Sequence, residues 1–129
     1  MASPNWSDLV FDGALDVIAD NCTRVDICGT EPTTYAEATS TYTLANYTLT
    51  AGDGLGDWVI ANGDTSGRKL TMNQQTGNTA TGTGNGNFLA FTDGSSVLYG
   101  VIDGDGGSVA VGVAVDISAV DVLEIRDPS

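Results

Sequence analysis

Carboxylates dominate the chemistry open to this chain: 17 Asp and Glu stand against 4 Lys and Arg, and there is no histidine. That absence removes Ser-His-Asp and Cys-His nucleophile pairs, histidine-ligated zinc and the usual proton shuttle near neutral pH. Two carboxylates alone can run glycoside hydrolysis. Glu31, Glu37 and Glu124 stand among many aspartates, but no spacing singles out a pair, and the thinly spread aromatics mark no sugar-stacking groove. Asp103-Gly104-Asp105-Gly106-Gly107 opens like a calcium loop, in which a hard cation needs several oxygens close together. Counted from Asp103, however, Gly107 falls where a third ligand belongs and Ala114 where the closing bidentate acid belongs, so the segment reads as a hairpin turn. The glycine-rich stretches at 52–56 and 82–86 lack the lysine of a phosphate loop. The expectation is no catalytic residue, no cofactor and no metal site.

The formal net charge of −13 repels phosphate backbones and anionic bilayers, so direct nucleic-acid or membrane binding is not expected. No apolar run approaches the roughly 20 residues that span a bilayer, and the start has no basic segment leading into an apolar one, so a protein without a secretion signal is expected. Low lysine and a preference for aspartate over glutamate suit a salty medium, where self-repulsion is screened. Cys22 and Cys28 bracket a segment that, if extended, sets them about 20 Å apart at roughly 3.3 Å per residue. A disulfide needs Cα atoms within about 7 Å, so free thiols are expected, in keeping with synthesis in a cytosol.

The first element to position any site is an N-terminal helix. Ser3 is placed to cap it and Pro4 to fill its first turn. Trp6, Val10, Ala14, Val17 and Ile18 then recur at helical spacing, with Phe11 and Leu15 widening the apolar face. On the other side Asp8, Asp12, Asp16 and Asp20 follow at every fourth position, an arrangement that costs a few tenths of a kcal/mol per like-charged pair. This is either a solvated face in an acidic chain or a contact for a basic partner, with Leu9 as the apolar anchor among the acids. The partner-binding candidates are therefore Trp6, Asp8, Leu9, Asp12, Asp16 and Asp20.

Thr23 to Cys28 alternates as a half-buried strand, and Gly29 to Thr41 reads as a loop with at most one or two helical turns, Thr34 and Glu37 having capping-box spacing. Tyr42 to Thr50, Lys69 to Asn73, Thr79 to Thr83, Phe88 to Thr92 and Ser96 to Ile102 read as strands, the last two flanking an Asp93-Gly94 turn. The clearest alternation runs from Val109 to Ile117, with Val109, Val111, Val113 and Val115 on one face and small residues on the other, a surface suited to packing against a second copy. A last strand covers Val120 to Arg126. The expected fold is mainly β, an antiparallel sandwich or barrel with one N-terminal α-helix. Residues 1–22 form a helical docking segment and 23–129 a β-rich body, one compact domain overall.

From Ile27-Cys28-Gly29-Thr30-Glu31-Pro32-Thr33-Thr34-Tyr35 through Leu44 the chain resembles a group of small tailed-bacteriophage virion proteins, which also place a short helix ahead of a Cys-x-x-Glu-Pro-Thr-Thr-Tyr segment. Gly67-Arg68-Lys69-Leu70-Thr71, Thr79-Ala80-Thr81-Gly82-Thr83 and Phe88-Leu89-Ala90-Phe91-Thr92-Asp93-Gly94 are similar to their later strands. The likeness covers residues 10 to 100 and not the valine-rich segment. Relatives commonly carry aromatic and histidine residues before the Asp-Gly turn, where this chain has Asn87 and Phe88. The resemblance implies a structural role with no catalytic motif: a decoration or cement protein bound to the major capsid protein on the virion head, made in the bacterial cytoplasm. Such a role further implies a homotrimer at three-fold positions. The alternatives are a tail or fibre component, or a glycan-binding or glycan-hydrolysing module built on its carboxylates.

Overall fold

A computed structural model describes residues 6–127. In chain order it has α1 (Asp8–Asn21), β1 (Arg24–Cys28), a π-helical turn (Glu37–Thr41), β2 (Thr43–Thr48), β3 (Trp58–Asn62), β4 (Arg68–Met72), β5 (Gly84–Asn85), β6 (Phe88–Thr92), β7 (Leu98–Asp103), β8 (Ser108–Val109) and β9 (Val120–Ile125). The fold is mainly β, with antiparallel sheets and one N-terminal helix, as the sequence leads one to expect. Its contacts fall into two compact units: Met1–Asn21 with Thr50–Gln74 and Ala119–Ser129, and Cys22–Leu49 with Gln75–Ser118.

The first unit is α1 against the three-stranded sheet β3-β4-β9. Its core is Phe11, Leu15 and Ala19 from the helix with Trp58, Leu70 and Met72 from the sheet. The pairs Trp58↔Met72 and Ile60↔Leu70 set the register of β3 on β4, and a bulge at Leu70/Thr71 shifts β9. Gly67 closes the β3–β4 turn at φ +69, and a Cβ there would lie 1.8 Å from the Ile125 carbonyl oxygen, so only glycine fits. β3 is a strand that the turn-rich sequence around it concealed.

The second unit is the sheet β2-β1-β6-β7 with the small pair β5-β8. Both faces of β1 are covered, which gives this unit a sandwich-like build. On one side Cys28, Ala38 and Ala90 form a buried cluster lined by Tyr42, Phe88, Leu98 and Val101. On the other, Gly86 comes so near Ile27 that an added Cβ would sit 2.9 Å from its methyl carbon. The alternation in β1 predicts Asp26 on a wet face, but Asp26 is fully buried. Its carboxylate accepts from Arg24 Nε and Nη2 at 2.7 and 2.9 Å and from the Thr43 hydroxyl at 2.7 Å. The capping-box spacing is used as well: Glu37 N–H donates to Thr34 Oγ1 at 3.1 Å, while the Glu37 carboxylate accepts from Thr33 N–H at 2.9 Å. In the β6–β7 turn, Asp93 Oδ1 accepts from the N–H groups of Ser95, Ser96 and Val97 at 2.8, 2.8 and 3.0 Å.

Two expected strands are not built. Only Ser108–Val109 of the valine-rich segment is strand. Gly112 then takes φ +79, a left-handed conformation open to glycine, and the chain turns there. Beyond the turn the chain meets residues 75–80 through single bridges, Thr79↔Ala114 and Gln75↔Ile117. For the same reason Thr79 to Thr83 is an irregular partner of this segment and not a strand. Tyr47 fastens the two stretches, its buried hydroxyl donating to the Val115 carbonyl and accepting from Asn78 N–H at 3.1 Å.

Candidate functional site

The expected cap at Ser3 and Pro4 lies outside the described residues. Ser7 caps α1 instead, its hydroxyl accepting from Leu9 N–H at 3.2 Å and its carbonyl from Val10 N–H at 3.0 Å. At the other end Asn21 Nδ2 donates to the Val17 carbonyl at 2.8 Å, and Gly52 N–H donates to that of Ala19 at 2.7 Å.

A 3.6-residue period admits more than one apolar stripe on this helix, and the structure buries only one of them. Phe11, Leu15 and Ala19 face the sheet. Of the apolar face expected from Trp6, Val10, Ala14, Val17 and Ile18 with Phe11 and Leu15, the last two are buried and Ile18 is half-buried, whereas Ala14 is exposed and Trp6, Val10 and Val17 face water at 55%, 54% and 54% exposure. Trp6 is held by its own N–H, which donates to Asp127 Oδ1 at 3.1 Å. Together with Phe11, Ile125 and Arg126, the residues Trp6, Val10 and Ala14 line an open groove of about 380 Å³. Leu9 is 81% exposed beside the aspartates, as its position among them suggests.

The four expected acids divide. Asp12 accepts from Arg68 Nε at 2.7 Å, and Arg68 also donates to Asn62 Oδ1 at 2.8 Å; the hydrogen bond to Asp12 is the main cause of the raised Arg68 pKa. Asp16 lies in the field of Asp20, Asp53 and Asp12, and burial first and these charges next raise its carboxyl above its ordinary value. Asp8 and Asp20 are exposed. Asp53 is a member that the sequence alone does not reveal, because the loop carrying it is more than thirty residues from the helix acids. The four cations of the chain are engaged within it: Arg24 by Asp26, Arg68 by Asp12, Lys69 by Asp64 and Asp121, and Arg126 by Glu124. Among the described residues, Asp8, Asp16 and Asp20 form no salt bridge, although Asp8 lies in the field of Arg68.

The self-association candidates are not brought into one surface. Val109 is buried, Val111 and Val113 are 61% and 57% exposed on either side of the Gly112 turn, and Val115 is half-buried. The flat valine face expected for packing against a second copy does not exist, because the turn at Gly112 ends the two-residue period.

Elsewhere, Cys22 and Cys28 are buried and form no disulfide, and burial pushes both thiols up to about 12, which keeps them as unreactive thiols. Asp105 turns its Oδ1 onto Gly107 N–H at 2.9 Å. Among the described residues no group of three or more His, Cys, Asp and Glu is placed to hold a metal ion, and no helix is long and apolar enough to cross a membrane. α1 thus presents an exposed apolar ridge beside Asp16 and Asp20, which form no salt bridge among the described residues. The chain matches no known sequence family, no curated protein and no solved structure.

Proposed function

We propose that this protein is a head decoration protein of a tailed bacteriophage, which binds the major capsid protein from the capsid surface and stabilises the shell without catalysing a reaction. The observation that carries the reading is the outward face of α1, where an 81% exposed Leu9 sits beside Asp16 and Asp20, which form no salt bridge among the described residues, the four cations of the chain being paired with other acids. Such a face suits a shell subunit that presents basic side chains around an apolar pocket, the acids steering the approach and Leu9 anchoring it. The resemblance of residues 27–44 to small virion proteins supports the setting. The helix is not a detachable tether, since Phe11, Leu15 and Ala19 complete the core beneath it.

Point substitutions on the outward face test this better than deletion of the helix. Capsids assembled without the protein are incubated with purified wild type, Leu9→Asp or the double variant Asp16→Lys/Asp20→Lys, and bound protein is measured after sedimentation. The expected result is that Leu9→Asp weakens binding by on the order of tenfold or more, and that added salt weakens wild type but not the lysine variant. Equal binding by all three proteins overturns the reading. So does a particle reconstruction in which the protein occupies only the tail.

A further inference from the structure

A sheet edge left unpaired is a row of backbone donors and acceptors waiting for a strand, and proteins usually blunt it by charge, cover or brevity. Most edges here are treated in that way. The outer edge of β2 is covered by N–H groups of Thr81 and Gly82 on the Leu44 carbonyl at 2.8 and 3.0 Å. That of β3 is capped by Asp53, which accepts from Ile60 N–H at 2.9 Å. β9 carries Asp121 and Glu124, and β5 and β8 have two residues each. β7 is the exception: it pairs with β6 on one side and with no strand of the described residues on the other. Its first five residues, Leu98-Tyr99-Gly100-Val101-Ile102, are uncharged and contain no proline, and each is half-buried.

We propose that β7 pairs antiparallel with β7 of a second copy, forming a two-fold dimer. The edge is complementary to itself. A two-fold axis at Val101, just beyond the bulge near Tyr99, sets Gly100 of each copy opposite Ile102 of the other. Gly100 has open space where its Cβ would point, so the larger side chain meets a position with room for it, twice. The same register puts Asp103 opposite Tyr99 of the other copy and leaves the two Asp103 carboxylates about 14 Å apart at roughly 3.4 Å per residue, beyond the screening length of about 8 Å at physiological salt. A single free edge that serves both partners closes as a dimer and not as a ring.

Because each chain carries −13, salt should strengthen this contact by screening the repulsion between copies, the reverse of its effect on a basic partner at α1. The test is sedimentation equilibrium of the full chain at low and high salt, for wild type, Gly100→Ala and Gly100→Glu. A Cβ added at Gly100 meets no atom within 4 Å and the backbone there is not left-handed, so Gly100→Ala should stay folded, and circular dichroism establishes that Gly100→Glu is folded before its association is read. The expected result is a dimer in wild type that grows with salt, persists in Gly100→Ala and dissociates in folded Gly100→Glu. A monomer at every salt concentration, a dimer indifferent to Gly100→Glu, or a trimer unaffected by it overturns the proposal.

Discussion

Two aspartates in this molecule each meet an arginine at 2.7 Å, Asp26 on β1 and Asp12 on α1, yet the bonds do different work. Asp26 is wholly buried, and its carboxylate also takes the Thr43 hydroxyl, while Arg24 reaches on to the Thr39 carbonyl at 3.2 Å. Asp12 and Arg68 keep 30% and 20% of their side-chain surface in water, and the acids that follow Asp12 along the helix find no such cation. The β1 sheet consumes the carboxylate it buries; the helix leaves most of its own without a salt bridge among the described residues. Distance alone does not distinguish the two. The difference lies in desolvation, which makes a broken pair expensive inside and nearly neutral at the surface.

The largest effect that sharpens this contrast is therefore at Asp26. Asp26→Ala leaves Arg24 and Thr43 without their acceptor in the middle of a sheet, and should cost about 3 kcal/mol, the low end for a broken buried pair because Arg24 touches water. Denaturant unfolding monitored by circular dichroism measures it. A loss below about 1 kcal/mol would put Asp26 in the same class as Asp12. On the helix side, Arg68→Ala should cost about 1 kcal/mol, and Asp12→Ala only a few tenths, since removing the acid also relieves its repulsion of Asp8 and Asp16. The order matters more than either value: if Asp12→Ala is the more damaging, Arg68 is not the group that holds the acidic helix together.

How much of this was legible from residues alone depends on whether two local signals agreed. At Phe88 to Thr92, Asp93-Gly94 and Leu98 onward, strand-forming residues and a turn residue point the same way, and β6 and β7 form there with Gly94 at φ +76. From Val109 to Ile117 the alternation is stronger, but Gly112 sits within it, and a glycine free to turn outweighed four valines. In α1 the helix and its exposed Leu9 could be read, but not which apolar stripe would be buried, because that depends on the sheet beneath. The burial of Asp26 is not legible in the alternation of β1, because a period of two places a residue on a face without saying whether the face is wet. The groove beside Trp6 was out of reach: Ile125 and Arg126 lie more than a hundred residues from Trp6, and no local pattern joins them.

The smallest effect compares two aspartates whose carboxyls are displaced in opposite directions from their ordinary value. Asp93 is held below the usual carboxylate range by the N–H groups of Val97, Ser96 and Ser95, so its contribution is complete above the unfolded value of about 3.9 and is lost as pH falls through its folded value. Asp16 is raised, first by burial and then by Asp20, Asp53 and Asp12. The folded chain thus holds the Asp16 proton more tightly than the unfolded one, and the stability it lends at low pH fades as pH rises from the unfolded value through the folded one. Asp16→Asn should accordingly raise the melting temperature at neutral pH, with the gain vanishing below about pH 4. Asp93→Asn should lower it at neutral pH, with the loss shrinking in acid. Melting curves from pH 3 to 7 measure both. Should Asp16→Asn be destabilising at pH 7, the carboxylate already has a cation within the chain, and the helix acids are not held in reserve for a partner.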